Sequence, residues 1–230
     1  MRAMILAAGL GTRLRPLTLK TPKPLLKVAG CSLIEYQINN LKRAGISEIV
    51  INHAWLGEQI EAELGDGSAL GVQLFYSAED EPLETAGGVR KALPWLAAQS
   101  DAPFLLVNGD VFTDVEYASF NLALPDTIDA RLWLVANPSW HREGDFHLRV
   151  DGRLSPDTGL RFTFAGISLL RPSLFAHFAL DRPEPLAPLL RKLIADDRAQ
   201  GEILSGYWND VGTPERLDQV ERFLSHKDPN

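Results

Sequence analysis

Cysteine is nearly absent: Cys31 is the only one in 230 residues. No intrachain disulfide can form, and a reducing compartment, the cytoplasm, is the expected setting. Long apolar runs are missing too. The opening MRAMILAAGLGT turns into glycine and arginine too early to span a bilayer, and it reads as a buried strand, not a targeting segment. The five histidines show no H-E-x-x-H spacing, there is no G-x-S-x-G elbow, and no G-K-[ST] follows the second glycine of the N-terminal turn. Zinc hydrolase, serine hydrolase and P-loop chemistry are therefore unsupported. The dinucleotide fingerprint fails as well, because Leu14 stands where its third glycine belongs. Internal repeats and low-complexity tracts are also lacking.

One further absence is local. Residues 1–34 contain no aspartate or glutamate, but they carry Arg2, Arg13, Arg15, Lys20, Lys23 and Lys27. The chain as a whole has a net charge of −7, so everything after this stretch is strongly acidic. That balance argues against a general nucleic-acid binder. A basic, glycine-bearing segment in an acidic protein suggests a local site for a small anion.

Short apolar runs alternate with amphipathic stretches. Strands are expected at Ala3–Ala8, Glu48–Asn52, Val72–Tyr76, Phe104–Val107 and Ala130–Ala136. Helices are expected at Leu33–Ala44, ended by Gly45, at Gly57–Leu64, and at Thr85–Leu93, stopped by Pro94. This βαβα order predicts an α/β fold with a mainly parallel central sheet covered by helices on both faces. After residue 137 the pattern changes. Phe146–Val150 and Arg161–Leu170 read as antiparallel pieces, followed by helices at Leu186–Ala195 and Pro214–Leu224, the last with Thr213 as N-cap and Pro214 at its first position. The sheet should therefore be mixed. In such sheets ligands sit beyond the carboxyl ends of the strands.

The first strand exit carries Gly9 and Gly11, then Thr12, Arg13 and, between two prolines, Lys23. Glycines let a bulky anion approach the main chain, and successive N–H groups make an anion-binding concavity. Thr12 adds a hydroxyl and Arg13 a planar fork suited to phosphate oxygens. The flanking prolines restrict where the Lys23 ammonium can go. A second signal is Asp110, just past the apolar run LLVNGD. A third is Asp210 in WNDVGTPE. Mg²⁺ prefers oxygen ligands and typically uses one or two carboxylates plus phosphates and water.

The pattern Gly9-x-Gly11-Thr12-Arg13-Leu14 followed by Pro22-Lys23 resembles the signature loop of the sugar-1-phosphate nucleotidylyltransferases, and the later motifs fall in order over nearly the whole chain. The resemblance implies one Rossmann-like domain over 1–230, of the nucleotide-diphospho-sugar transferase type. Its nucleotide-binding half would be 1–110, and 111–230 would hold the sugar-binding half and the second metal aspartate. It implies nucleotide binding by Ala8, Gly9, Gly11, Thr12, Arg13 and Lys23 and, at the base, by Glu81, Thr85 and Gly87. Asp110 and Asp210 would hold Mg²⁺, the expected cofactor. Arg13, Lys23, Asp110 and Asp210 form the expected catalytic set. Small-molecule substrates are implied, a nucleoside triphosphate and a sugar 1-phosphate.

On the sugar side Asn108, Asp145 and Gly166 are the candidates. The Glu-Lys-Pro segment carried by many glucose 1-phosphate members is missing. Instead, INHAWLGEQI (51–60), EPLETAGG, LLVNGD and GDF resemble the group that couples UTP to N-acetylmuramate α-1-phosphate in cell-wall (peptidoglycan) recycling. A lactyl carboxylate on that sugar would need a cation, with His141, Arg142 and Arg161 as candidates. The alternatives are guanylyl transfer to mannose 1-phosphate, thymidylyl transfer to glucose 1-phosphate, or a non-catalytic sugar-nucleotide-binding subunit. The last would be expected to have lost one of the four catalytic residues, and all four are present.

Overall fold

The structure, a computed structural model, describes residues 1–97 and 100–227. In chain order the strands are β1 (Arg2–Leu6), β2 (Lys27–Val28), β3 (Cys31–Ser32), β4 (Glu48–His53), β5 (Gln73–Ala78), β6 (Phe104–Asn108), β7 (Val111–Thr113), β8 (Ala130–Val135), β9 (Phe146–Leu148), β10 (Leu154–Ser155), β11 (Leu160–Leu170), β12 (Ala199–Ile203) and β13 (Trp208–Asp210). The helices are α1 (Leu33–Arg43), α2 (Gly57–Leu64), α3 (Glu84–Leu96), α4 (Leu186–Ala195) and α5 (Pro214–Lys227).

Among the described residues nine strands form one sheet, with the path β10-β9-β11-β6-β1-β4-β5 and with β8 and β12 continuing from β11. The pairs β6–β1, β1–β4 and β4–β5 are parallel, whereas β11 runs antiparallel to both β6 and β8. The mixed, mainly parallel sheet expected from the sequence is therefore present, with helices on both faces.

Strand alternation decides the layering. Ala3 and Ile5, Ile49 and Ile51, Leu105 and Val107 enter one core together with Ile34, Ile38 and Leu41 of α1 and Ile60 and Leu64 of α2. The intervening Met4, Val50, Phe104 and Leu106 enter the opposite core, under Val89 and Leu93 of α3 and Leu190 and Leu193 of α4. With both faces covered, these strands read as continuous apolar runs. Ser32 starts α1 with a reciprocal capping box: its hydroxyl accepts from the Glu35 N–H, and the Glu35 carboxylate accepts from the Ser32 N–H. A third, smaller core joins Leu14, Leu26, Val28, Phe112, Val211 and Val220. It ties the N-terminal loop to β7, to the turn after β13 and to α5.

Two expected element ends need correction, and one strand was missed. Pro94 does not stop α3, which continues to Leu96. The ring removes one helical hydrogen bond, but Leu93 and Leu96 are buried in the second core and hold the last turn. Strand β9 ends at Leu148 and not at Val150, because Arg149–Gly152 form a turn closed by the Gly152 N–H on the Arg149 carbonyl at 3.0 Å. Strand β12, AQGEI, was not anticipated. It is half polar and pairs parallel with β8 at the sheet margin.

Candidate active site

Parallel pairing puts Leu6 level with both Asn52 and Asn108. The chain leaves β1, β4 and β6 at one edge, and a cleft of about 470 Å³ lies there, walled by Ala7, Ala8, Gly9, Gly11, Thr12, Arg13, Lys23, Asn52, Asn108 and Asp110 among others. The loop after β1 is folded on itself by 3₁₀ turns at Thr12–Leu14, Leu17–Leu19 and Lys23–Leu25. Gly11 is left-handed, with φ +60°, and an added Cβ would lie 2.8 Å from Thr18 Cγ2 and 3.2 Å from Lys23 Cβ. Only glycine fits that turn without strain. The buried Thr18 hydroxyl donates to the Gly11 carbonyl at 2.8 Å, and Leu14 is fully buried in the third core. Anchored on both sides, the turn leaves Thr12 and Arg13 exposed toward the cleft.

The two aspartates meet through a ribbon that the sequence did not reveal. Strands β7 and β13 pair antiparallel, with Asp210 opposite Val111, and the Val211 N–H donates to the Asp110 carbonyl at 2.8 Å. Both carboxylates are about one-third exposed and each has a counter-cation: Lys23 pairs with Asp110, and the buried Arg216 pairs with Asp210. Arg216 also lies over the Trp140 ring, 5.1 Å from its centroid. Asn209 faces away from the cleft, donating to Gln219 at 3.0 Å, so its presence before Asp210 leaves the carboxylate untouched. Thr213 caps α5 as expected, accepting from the Arg216 N–H at 3.4 Å.

On the opposite wall a buried network joins three elements. The Ala7 N–H donates to Asn52 Oδ1 at 3.0 Å, Asn52 Nδ2 donates to Glu79 Oε1 at 2.7 Å, and the Leu83 N–H donates to Glu79 Oε2 at 2.8 Å. Burial pushes the Glu79 carboxyl above its ordinary value, against the hydrogen bonds from Asn52 and Leu83 that hold it down. Sequence reading passed over Asn52 and Glu79. The available signal was a polar residue closing each of two apolar strands. Thr85 lines the cleft, as do Pro82 and Glu84, the last held at φ +58° where α3 begins. Glu81 is exposed and outside the cleft wall. Gly87 is buried within α3, its N–H donating to the Glu184 carbonyl at 3.1 Å, so it packs against the segment before α4 instead of facing the cleft.

Asn108 lines this cleft and two adjoining cavities, of about 610 and 420 Å³. Its room comes from Gly166, at a bulge of β11 with φ +73°, where a Cβ would lie 2.7 Å from Asn108 Nδ2. Asp145 lines both adjoining cavities, but its oxygens are engaged: one meets His141 Nε2 at 3.0 Å and the other accepts the Phe164 N–H at 2.8 Å. His141 and Arg161 line the larger of the two; Arg142 is exposed and lines neither. Trp208, the first residue of β13, donates its indole N–H to the Ala165 carbonyl at 2.9 Å. Burial, aided by Glu35, pushes the Cys31 thiol up to about 11, which disfavours the nucleophilic thiolate.

The sheet order, and a cleft at the carboxyl edge of its parallel strands, are those of the Rossmann-like α/β proteins. Residues 2–128 match the family model described as nucleotidyl transferase, and the chain belongs to that family. A Neisseria meningitidis protein named N-acetylmuramate alpha-1-phosphate uridylyltransferase is 51% identical, covering 96% of this chain and 97% of its own. A Caulobacter vibrioides protein of the same name is 33% identical, covering 97% and 96%. The catalytic subunit beta of a Drosophila melanogaster mannose-1-phosphate guanylyltransferase is 34% identical over 93% of this chain but only 60% of its own length. Among solved structures, one from Bacillus anthracis, provisionally assigned as a glucose-1-phosphate thymidylyltransferase, superposes with a TM-score of 0.82 at 18% identity, covering 97% of this chain and 95% of that one. HddC from Yersinia pseudotuberculosis gives 0.79 at 21%, covering 97% and 99%. At these identities the two structures speak to the fold. Among the described residues no helix is long and apolar enough to cross a membrane.

Proposed function

We propose that this protein transfers a uridylyl group from UTP to N-acetylmuramate α-1-phosphate, giving UDP-N-acetylmuramate and pyrophosphate, as a step of peptidoglycan recycling in the cytoplasm. The observation that carries the substrate is the 51% identity to the Neisseria meningitidis enzyme, which extends over both chains almost entirely. The guanylyltransferase relative shares less identity, and this chain spans a smaller part of it.

The reaction is a single in-line displacement. An oxygen of the sugar phosphate attacks the α-phosphorus of UTP, the bond to the β,γ-phosphates breaks, and pyrophosphate leaves. The nucleophile is already anionic, so no strong general base is required. The task is to bring two anions together and to stabilise charge on the leaving group. The loop 8–13 would receive the triphosphate on backbone N–H groups, with Arg13 and Lys23 meeting its charge. Ala7, Ala8, Pro82 and Thr85 would border the base. Asn108, between the cleft and the two further cavities, would bond the sugar, with Gly166 making the space.

Asp110 and Asp210 suit a divalent cation, and Mg²⁺ is the one proposed. Their donor set is two hard carboxylates, Asp110 just before β7 and Asp210 at the end of β13, and among the described residues no group of three His, Cys, Asp or Glu side chains gathers into a complete cage. That incomplete set fits an ion that takes its other ligands from phosphate and water. Mg²⁺ held there would supply charge neutralisation and orientation to the triphosphate.

The test is pyrophosphate release with Mg²⁺ across UTP, dTTP, GTP, CTP and ATP, crossed with the 1-phosphates of N-acetylmuramate, N-acetylglucosamine, glucose and mannose. A dominant UTP and N-acetylmuramate signal, lost in EDTA, is expected. A dominant signal elsewhere would overturn the substrate and keep the chemistry. Nucleotide binding without release anywhere would overturn the chemistry.

A further inference from the structure

The segment INHAWLGEQI (51–60) carries the end of β4 into α2. Asn52 lines the cleft, and the rest of the segment lies outside its wall. The turn it makes is tightly held. Leu56 is left-handed, with φ +54°, and the Gly57 N–H donates to the Ala54 carbonyl at 3.2 Å. Gly57 lies against the His53 imidazole, where an added Cβ would fall 1.9 Å from Nδ1. That ring is buried, and its Nε2 meets Glu61 Oε1 of α2 at 2.6 Å. Strand end, turn and helix are locked as one piece, and Trp55 and Gln59 are exposed on it.

Both side chains reach the loop after β1. The Trp55 indole N–H donates to the Thr18 carbonyl at 3.0 Å, and Gln59 Nε2 donates to the Lys20 carbonyl at 3.1 Å. This limb of the loop has little packing to hold it. Leu17 and Leu19 are about half exposed, and Thr18 alone of the turn Leu17–Leu19 is buried. The Thr18 hydroxyl in turn holds the Gly11 carbonyl, and the chain runs on from Lys20 to Lys23. At the other end of the loop Asn52 accepts the Ala7 N–H. One short segment therefore bonds the chain both where it enters the loop and where it leaves.

We propose that Trp55 and Gln59 are positioning residues for nucleotide binding: they brace the outer limb of the loop so that the Gly11 turn and Lys23 stand where a triphosphate meets them. The brace rests on the reading of this loop as the triphosphate site. Neither side chain lines the cleft, so both act through the loop backbone. A loop that must be ordered on binding costs affinity, and one held in place beforehand does not. Each side chain gives one water-exposed hydrogen bond, so its loss touches global stability little and loosens the loop locally.

Trp55→Phe keeps an aromatic ring and removes the indole N–H; Gln59→Met keeps the length and removes the amide donor. Wild type is first titrated by calorimetry with UTP, dTTP, GTP, CTP and ATP in the presence of Mg²⁺. The single variants and the double variant are then titrated with the nucleotide bound most tightly, expected to be UTP, and KM for each substrate is taken from pyrophosphate release. Each single variant should weaken nucleotide binding roughly 3- to 10-fold, and the double variant more. KM for the sugar phosphate should be unchanged, and the melting temperature should stay within about 2 °C of wild type. Unchanged nucleotide affinity in the double variant would overturn the brace and leave the triphosphate reading intact. Equal rises in both KM values with a lowered melting temperature would assign the two residues a general structural role and overturn the brace as well. A wild type that binds none of the five nucleotides would overturn the triphosphate reading, and the brace with it.

Discussion

The Val211 N–H donates to the carbonyl of Asp110 at 2.8 Å. That one bond joins segments a hundred residues apart and sets Asp210 beside Asp110. Lys23 and Arg216 close the group, one on each carboxylate. Each of the two carboxylates is thus held by a cation supplied by the fold itself.

Lys23→Ala should lower turnover roughly 10²–10³-fold, about 3–4 kcal/mol of transition-state stabilisation, as expected for loss of one preorganised charge donor. Steady-state pyrophosphate release, with circular dichroism to verify folding, measures it. An unchanged kcat would remove Lys23 from the phosphate chemistry.

Gly166→Ala places a methyl 2.7 Å from Asn108 Nδ2 at a backbone φ of +73°. A stability loss of about 1–3 kcal/mol is expected, together with a raised KM for the sugar phosphate and an unaltered KM for the nucleotide. Thermal denaturation and two substrate titrations decide it. A raised nucleotide KM alone would place Asn108 on the nucleotide and not on the sugar phosphate.

Glu79 accepts from two donors, Asn52 Nδ2 and the Leu83 N–H. Glutamine has one acceptor oxygen, so Glu79→Gln leaves one buried donor facing an amide. About 1–3 kcal/mol of stability should be lost, and the nucleotide KM should rise because the network borders the cleft through Ala7 and Asn52. Unfolding in urea gives the first quantity; no change would make the network dispensable.

Asp114 accepts from the Tyr207 N–H and from Lys227 Nζ, both at 2.8 Å. Burial alone would raise its carboxyl, but these hydrogen bonds outweigh burial and hold it below its ordinary value of 3.8. The folded state then binds a proton less readily than the unfolded chain. The stabilisation is complete above the ordinary aspartate value and is lost as pH falls through the lowered one. The gap in melting temperature between wild type and Asp114→Asn should therefore be widest near neutrality and should close in acid. A gap that stays constant into acid would show that the charge does not matter.

Short continuous apolar runs announced β1, β4 and β6, because a strand covered on both faces must be apolar throughout. The helix limits of α2 and α4 were equally plain. The β7–β13 ribbon was hidden, since three residues are too few to carry a period and its pairing spans the chain. Arg13, Lys23, Asp110 and Asp210 were legible from local spacing, and the fold brings all four to the cleft and the cavity beside it. Asn52 and Glu79 were not, because a polar side chain ending a strand gives no sign of its partner. Glu81 and Gly87 stood in the right turn but face elsewhere: which side of a turn a residue presents depends on the segment packed behind it, here 182–184.

Strands β1, β6 and β11 are consecutive neighbours in one hydrogen-bonded sheet. Neighbouring strands lie about 4.8 Å apart, so the glycine-bearing turn after β1 and the Gly166 bulge of β11 are separated by two such intervals, roughly 10 Å. No hinge intervenes. Under the proposed function the sheet would act as a fixed gauge between donor and acceptor, so that substitutions along β11 would change the acceptor without disturbing the distance across which the bond is made.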